Sequence, residues 1–299
     1  IEVEVYRNHV VIDMGTLTDD RITIGTTALD KDTESHLSKP EEKITIIDTV
    51  EYEGLKKGQS YKLLGTLMDK ETEKPIEVDG NPVTAETTFK PKKTSGSTEV
   101  KFTFDATSLR GKTIVVFEEL YQDDLKLAVH TDIEDEDQTI YFPEIKTTAK
   151  DAHTDSNLSL AGKEVTLVDT VTYKNLLPGK EYVMTGTLMD KETGEAVVID
   201  DKKVTAETTF TPETAEGTVD VQFTFDGSTL AGKTVVVFES VSYEGKEFAV
   251  HADLKDEGQT IYFPEIKTTA KDNVSGNHYA KPEKEITLID TVSYQNLIP

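Results

Sequence analysis

Five side chains that could do chemistry together recur in this sequence at one fixed spacing. Thr26, Asp48, Glu118, His130 and Gln138 return 121 residues later as Thr147, Asp169, Glu239, His251 and Gln259. A third series opens with Thr268 and Asp290 before the sequence stops at Pro299. Threonine supplies a hydroxyl nucleophile, histidine a base, and the two carboxyl groups a store for a proton. Glutamine supplies a carboxamide carbon that can be attacked with loss of ammonia. Residue types alone leave two readings open: a buried hydrogen-bond network with a structural role, or a nucleophile held against an amide.

A period of this length marks an array of like domains. Gly65 to Thr72 repeats at Gly186 to Thr193, Val83 to Phe89 at Val204 to Phe210, and Gln138 to Ala149 from Gln259 onward. These runs are short, rich in Thr, Val, Ile, Phe and Tyr, and alternate with period two between Gly, Pro and Asp, so they read as strands. No segment sustains a helical period. The fold class is therefore all-β: tandem immunoglobulin-like antiparallel β-sandwiches arranged as a rod. Residues 22–142 and 143–263 form two complete repeats, and 264–299 the truncated start of a third. Residues 1–21 match neither, and the alternation over Ile1–Tyr6 suggests the end of a preceding, different domain. Phe142-Pro143-Glu144 leaves almost no linker between units.

The strands must aim the reactive set. Residues two apart in a strand share a face, so Thr26 sits with Ile24 and Ala28, and Asp48 with Ile44, Ile46 and Val50. Glu118 sits with Ile114, Val116 and Leu120, and Gln138 with Ile140 and Phe142. His130 is not placed by this argument, because both Ala128 and Val129 are apolar. A buried polar group without a partner costs about 1–3 kcal/mol, so inward polar groups in one small core should meet one another. Two carboxyls meeting in a dry site tend to share a proton. If the first and last strands pair, Thr26 and Gln138 become neighbours, and contact of that kind is worth an effective molarity on the order of 10⁵ M or more.

The formal charge of -25 argues against nucleic acid and anionic membrane surfaces as partners. There is no cysteine, hence no disulfide and no thiolate metal site. No apolar run has membrane-spanning length. No cofactor motif or metal-ligand spacing is present. His36, His153 and His278 read as solvated loop residues, and Asp132 to Asp137 as a charged surface loop rather than a calcium site.

The strand blocks resemble those of the Thr–Gln ester-bond (VaFE-repeat) domains found in the shafts of Gram-positive cell-surface adhesins and pilins. The resemblance rests on Thr26-Thr27, Asp48-Thr49-Val50, Val115-Val116-Phe117-Glu118 and His130-x-Asp132-x-x-Asp135-x-x-Gln138-Thr139. All four motifs recur in order as Thr147-Thr148, Asp169-Thr170-Val171, Val236-Val237-Phe238-Glu239 and His251-x-Asp253-x-x-Asp256-x-x-Gln259-Thr260. It implies a self-made ester: Thr26 attacks the Gln138 side chain, His130 moves the proton, and Asp48 with Glu118 stabilises the oxyanion. In the second repeat it implies the same roles for Thr147, Gln259, His251, Asp169 and Glu239. Lys146 and Lys267 flank the reactive threonines, and isopeptide-forming pilin domains use Lys with Asn. The closing segment offers Gln, which favours the ester.

The resemblance also implies an extracellular, cell-wall-anchored stalk segment whose partners are its neighbouring repeats, with a host ligand bound by a separate head domain. Two alternatives compete with it. A ligand-binding module would account for the difference between loops 90–99 and 211–220. A turnover hydrolase is disfavoured by inward-facing residues, so the chemistry is a single self-directed turnover rather than enzymatic.

Overall fold

Alternating apolar and polar residues become strands because successive side chains of an extended chain face opposite ways. In the computed structural model, which describes residues 6–7, 10–11 and 21–297, that alternation is visible directly in burial. Along Ile44–Glu53, Ile44, Ile46, Asp48, Val50 and Tyr52 are buried while the residues between them are not. The chain divides between Phe142 and Pro143 into two compact units.

The first unit is a sandwich of two antiparallel sheets. One has three strands in the order Gly96–Phe104, Ile44–Glu53, Thr23–Asp30. The other runs Leu125–His130, Thr113–Gln122, Tyr61–Asp69, with Thr84–Phe89 added beside Tyr61–Asp69. In the immunoglobulin constant arrangement the fourth strand belongs to the sheet of the first two; here Thr84–Phe89 pairs with the third strand instead. Ile46, Val50, Leu63, Leu67, Phe102, Val116, Leu120 and Phe142 fill the space between the sheets. Each such apolar side chain stabilises the fold by about 1.5–3 kcal/mol. The second repeat has the same sheets, ordered Glu144–Asp151, Val165–Lys174, Gly217–Phe225 and Thr205–Phe210, Tyr182–Asp190, Thr234–Tyr243, Lys246–His251.

Among the described residues no ladder joins the first strand to the last. The closing strand Thr139–Tyr141 pairs with Thr113–Val115 in the opposite sheet. The loop that follows the opening strand makes the link instead: Tyr141 N–H donates to His36 O at 2.8 Å, and Ser38 N–H to Tyr141 O at 3.0 Å. Asp30 shapes that loop by accepting from Asp32 N–H, Thr33 N–H and the Ser38 hydroxyl at 2.9, 3.0 and 2.6 Å. The opening strand and the closing segment thus come together as neighbouring edges of two sheets, side chain to side chain.

Tyr6–Arg7 pairs with Val10–Val11; the rest of the segment read as the end of a preceding domain lies outside the described residues. At the other end, Glu265–Asp272 and Leu288–Gln295 form an antiparallel hairpin. The Asn296 side-chain amide holds this hairpin to the second repeat by donating to Lys233 O at 2.8 Å. Among the described residues no helix is long and apolar enough to cross a membrane.

Candidate functional site

Four of the five expected residues in each repeat are buried where the alternation puts them. Thr26 and Thr147 are each 8% exposed on the opening edge strand, while Thr27 and Thr148 face solvent. Asp48 and Asp169 sit on the middle strand of the same sheet, directly opposite Ala28 and Ala149. Glu118 and Glu239 project from the facing sheet, and Gln138 and Gln259 end the single 3-10 turns Glu136–Gln138 and Glu257–Gln259. His130 is placed by register. It lies directly across from Glu118, as His251 does from Glu239, so it shares the inward face while Val129 turns to solvent.

The glutamine amide is the hub. Gln138 Nε2 donates to Asp48 Oδ1 at 3.1 Å, and Gln259 Nε2 to Asp169 Oδ1 at 3.0 Å. Gln259 Nε2 also contacts Thr147 Oγ1, which brings together two side chains 112 residues apart in sequence. In the second repeat the carboxamide therefore lies between the hydroxyl and the Asp carboxylate, inside the protein, whereas in the first the buried Thr26 hydroxyl has no hydrogen-bond partner among the described residues.

Among the described residues, ordinary donors reach neither carboxylate oxygen of Glu118, nor Asp48 Oδ2, nor Gln138 Oε1, and the same holds in the second repeat. A proton on the glutamate supplies the missing donor. Burial foremost, then the Asp48 charge and a hydrogen bond to Asp48, push Glu118 up from 4.5 to about 10. Glu239 rises to about 10 for the same reasons, with Asp169 as its partner. Burial also raises Asp48, against the hydrogen bonds from Gln138 and Glu118 that favour its charged form. Asp169 is raised to about 6. The shared proton accordingly resides on the glutamate, leaving a neutral carboxylic acid available to donate beside the amide.

The sequence reading assigned no role to Asp135 or Asp256. Asp135 Oδ2 bonds His130 Nε2 at 2.6 Å, and its Oδ1 accepts from Asp137 N–H at 2.9 Å, capping the turn that ends in Gln138. Asp256 does both for His251 and the Gln259 turn, at 2.7 and 2.8 Å. One carboxylate thus fixes the histidine and the glutamine segment together. With Nε2–H donated to Asp135, the other ring nitrogen is left as the acceptor. The signal was present as the Asp in the quoted His-to-Gln motif, but a loop has no periodicity to say where it points.

One expectation needs correction. His36 is half-buried rather than a solvated loop residue, and its Nδ1 bonds Thr139 O at 2.9 Å, next to Gln138. Asn157 occupies the equivalent place in the second repeat and donates to Thr260 O at 2.7 Å. Lys146 faces outward and pairs with Glu144 at 3.5 Å, away from the core where an isopeptide would have to form.

A family model for the T-Q ester bond containing domain matches residues 22–142, 143–263 and 264–299. No curated protein matches the chain. Among solved structures, a bacterial adhesin from Mobiluncus mulieris containing intramolecular disulfide, isopeptide and ester bond cross-links is similar at 15% identity. It covers 92% of this chain and 97% of its own length with a TM-score of 0.37. A second crystal form of that adhesin, also at 15% identity and the same coverage of each chain, gives a TM-score of 0.36.

Proposed function

We propose that this chain, which belongs to the T-Q ester bond containing domain family, locks each complete repeat with an internal ester and serves as a stalk segment of a bacterial surface adhesin. The bonds join Thr26 to Gln138 and Thr147 to Gln259. What supports this reading above all is the Gln259 carboxamide lying against the Thr147 hydroxyl in a buried site.

The reaction balances within one domain. The Thr26 oxygen attacks the side-chain carbonyl carbon of Gln138 while the free nitrogen of His130 takes the hydroxyl proton. Negative charge develops on Gln138 Oε1, where the neutral Glu118 carboxyl donates. His130 returns its proton to the departing nitrogen, the C–N bond breaks, and ammonia leaves. The sum is one hydroxyl plus one carboxamide giving one ester plus one ammonia. Asp48 orients the amide, and Asp135 holds the imidazole in the required tautomer. In the second repeat the same parts fall to Thr147, Gln259, His251, Glu239, Asp169 and Asp256. Each set turns over once on itself, which sets it apart from an enzyme.

A covalent tie between the opening strand and the closing segment suits a chain that bears tension, with the protein extracellular and anchored to a Gram-positive cell wall. Its standing partners in this reading are its own neighbouring repeats, and host ligands belong to a separate head domain. Intact mass under denaturing conditions tests the chemistry. The purified chain should weigh two ammonias less than its sequence, and Glu118→Ala or His130→Ala should halve the deficit while leaving a folded sandwich. A full sequence mass would end the ester reading.

A further inference from the structure

Both complete repeats place a glycine at the centre of a core strand, facing inward. Gly65 lies midway along Tyr61–Asp69, between buried Leu63 and Leu67 on the same face, and Gly186 lies midway along Tyr182–Asp190, between Met184 and Leu188. Glycine weakens the interior of a strand and leaves a core face without a side chain to pack. Neither residue has the positive φ that would call for glycine on backbone grounds. The reason lies across the ladder. Gly65 is paired directly with Glu118, and Gly186 with Glu239. A Cβ on Gly65 would fall under 3.0 Å from both Glu118 Oε1 and the ring edge of Phe102. On Gly186 it would meet Glu239 Oε1 and Phe223 equally closely.

We propose that Gly65 and Gly186 are positioning residues for ester formation, their bare Cα atoms forming the floor of a niche that seats the glutamate carboxyl beside its aspartate and the reactive amide. Phe102, from the facing sheet, forms the other side of the niche and is fully buried. Between glycine and ring the carboxyl is held in one position, hydrogen-bonded to Asp48. A methyl group on the floor forces the carboxyl or the ring aside, and of the two the carboxyl ends the more flexible side chain. Moving it by about 1 Å displaces it from Asp48 and from the reactive amide, a misplacement that can cost on the order of a hundredfold in rate.

This inference rests on the ester reading, and the second repeat serves as an internal control within the same molecule. The variants are Gly65→Ala and Gly65→Ala/Phe102→Leu, the second relieving the ring so that the sandwich folds. Peptide mapping should find the 147–259 ester formed in both, and the 26–138 ester missing or slowed by about a hundredfold in both. Native cross-linking of the first repeat in Gly65→Ala would overturn the proposal. Its restoration in the double variant would overturn it too, by assigning the glycine to ring packing alone. A further readout separates positioning from stability. In a Thr26→Ala background, which cannot cross-link, ¹³C NMR of the Glu118 carboxyl should show its titration displaced by about one pH unit or more when Gly65 becomes Ala. An unmoved titration would sink the niche even if cross-linking were slow. Loss of no ammonia from the unsubstituted chain would instead defeat the ester reading on which the niche depends.

Discussion

The same eight residues, Glu-Ile-Lys-Thr-Thr-Ala-Lys-Asp, form a strand at Glu144–Asp151 and again at Glu265–Asp272. Both copies pair over all eight positions in one register, Thr147 opposite Val171 and Thr268 opposite Val292. Both end in an aspartate whose side chain accepts from the backbone two and three residues on. Burial separates them. Ile145, Thr147 and Ala149 are buried, whereas Ile266, Thr268 and Ala270 are exposed. The strand, its turn and its partner are thus the same in both copies. Thr147 lies beside the facing sheet that carries Glu239 and His251 and beside the turn that ends in Gln259, whereas residues 264–299 span only the opening hairpin of their unit. The full candidate set is assembled where both sheets are present, although Thr147 and Asp169 lie in the opening hairpin.

The largest expected effect is mechanical. If Thr26 and Gln138 are joined, tension entering the opening strand leaves through the closing segment without loading the strands between. The bond also closes a loop of 112 residues, which by analogy with a disulfide stabilises by about 4–5 kcal/mol. Pulled from its ends, the native chain should show no extension from either complete repeat until a covalent bond or the attachment fails. Gln138→Ala/Gln259→Ala should release two steps, each with a contour length of roughly 370–400 Å. Equal extension in native and substituted chains would remove the locked-stalk argument.

The difference between Thr147 and Thr268 can also be abolished by design. A second copy of residues 176–263 appended after Asn296 gives the third hairpin a facing sheet, with its own Glu, His and Gln. The mass deficit should rise from two ammonias to three, and mapping should place the new ester on Thr268. A folded chimera that still loses only two would show that the closed sandwich is not enough.

The inward set was legible because Thr26, Asp48 and Glu118 each alternate with apolar neighbours in a strand of period two; Gln138 ends a 3-10 turn, yet it is buried as its spacing from Ile140 and Phe142 suggested. His130 was not legible, since Ala128 and Val129 flank it with apolar residues on both faces; only the cross-strand register with Glu118 settles it. Strand pairing was not the route by which the opening strand and the closing segment approach, because a sandwich can bring two edges together without a ladder. The 36–38 loop makes the backbone connection in its place. Asp135 lies in a loop, where spacing carries no direction. Gly65 was harder still, because its contribution is an absent side chain, visible only once Glu118 and Phe102 are seen to occupy the space.

The smallest effect concerns the shared proton, and it needs chains that cannot cross-link, such as Thr26→Ala/Thr147→Ala. Glu118 and Glu239 are held at about 10 in the folded protein against 4.5 for an ordinary glutamate. Between those values the folded state keeps a proton that the unfolded state has released. Their contribution is therefore fully favourable below about 4.5 and is lost as pH rises towards 10. The slope is about 1.4 kcal/mol per pH unit for each glutamate, hence at most about 4 kcal/mol per repeat between pH 6 and pH 9. Asp69 and Asp190 are shifted the other way, below the usual carboxylate range, by their bonds to Lys112 and Lys233 and to the turn that follows, with burial opposing. They act only in acid, outside this window. Urea unfolding of the double threonine variant should show the decline, and adding Glu118→Gln/Glu239→Gln should flatten it, because an amide keeps the shape and carries no titrating proton. Removing residues 264–299 should leave the slope as it was, since the third hairpin contributes Asp290 without a glutamate to share its proton. An unchanged slope in the glutamine variant would place the titrating group elsewhere and undo the assignment of the proton to the buried glutamate.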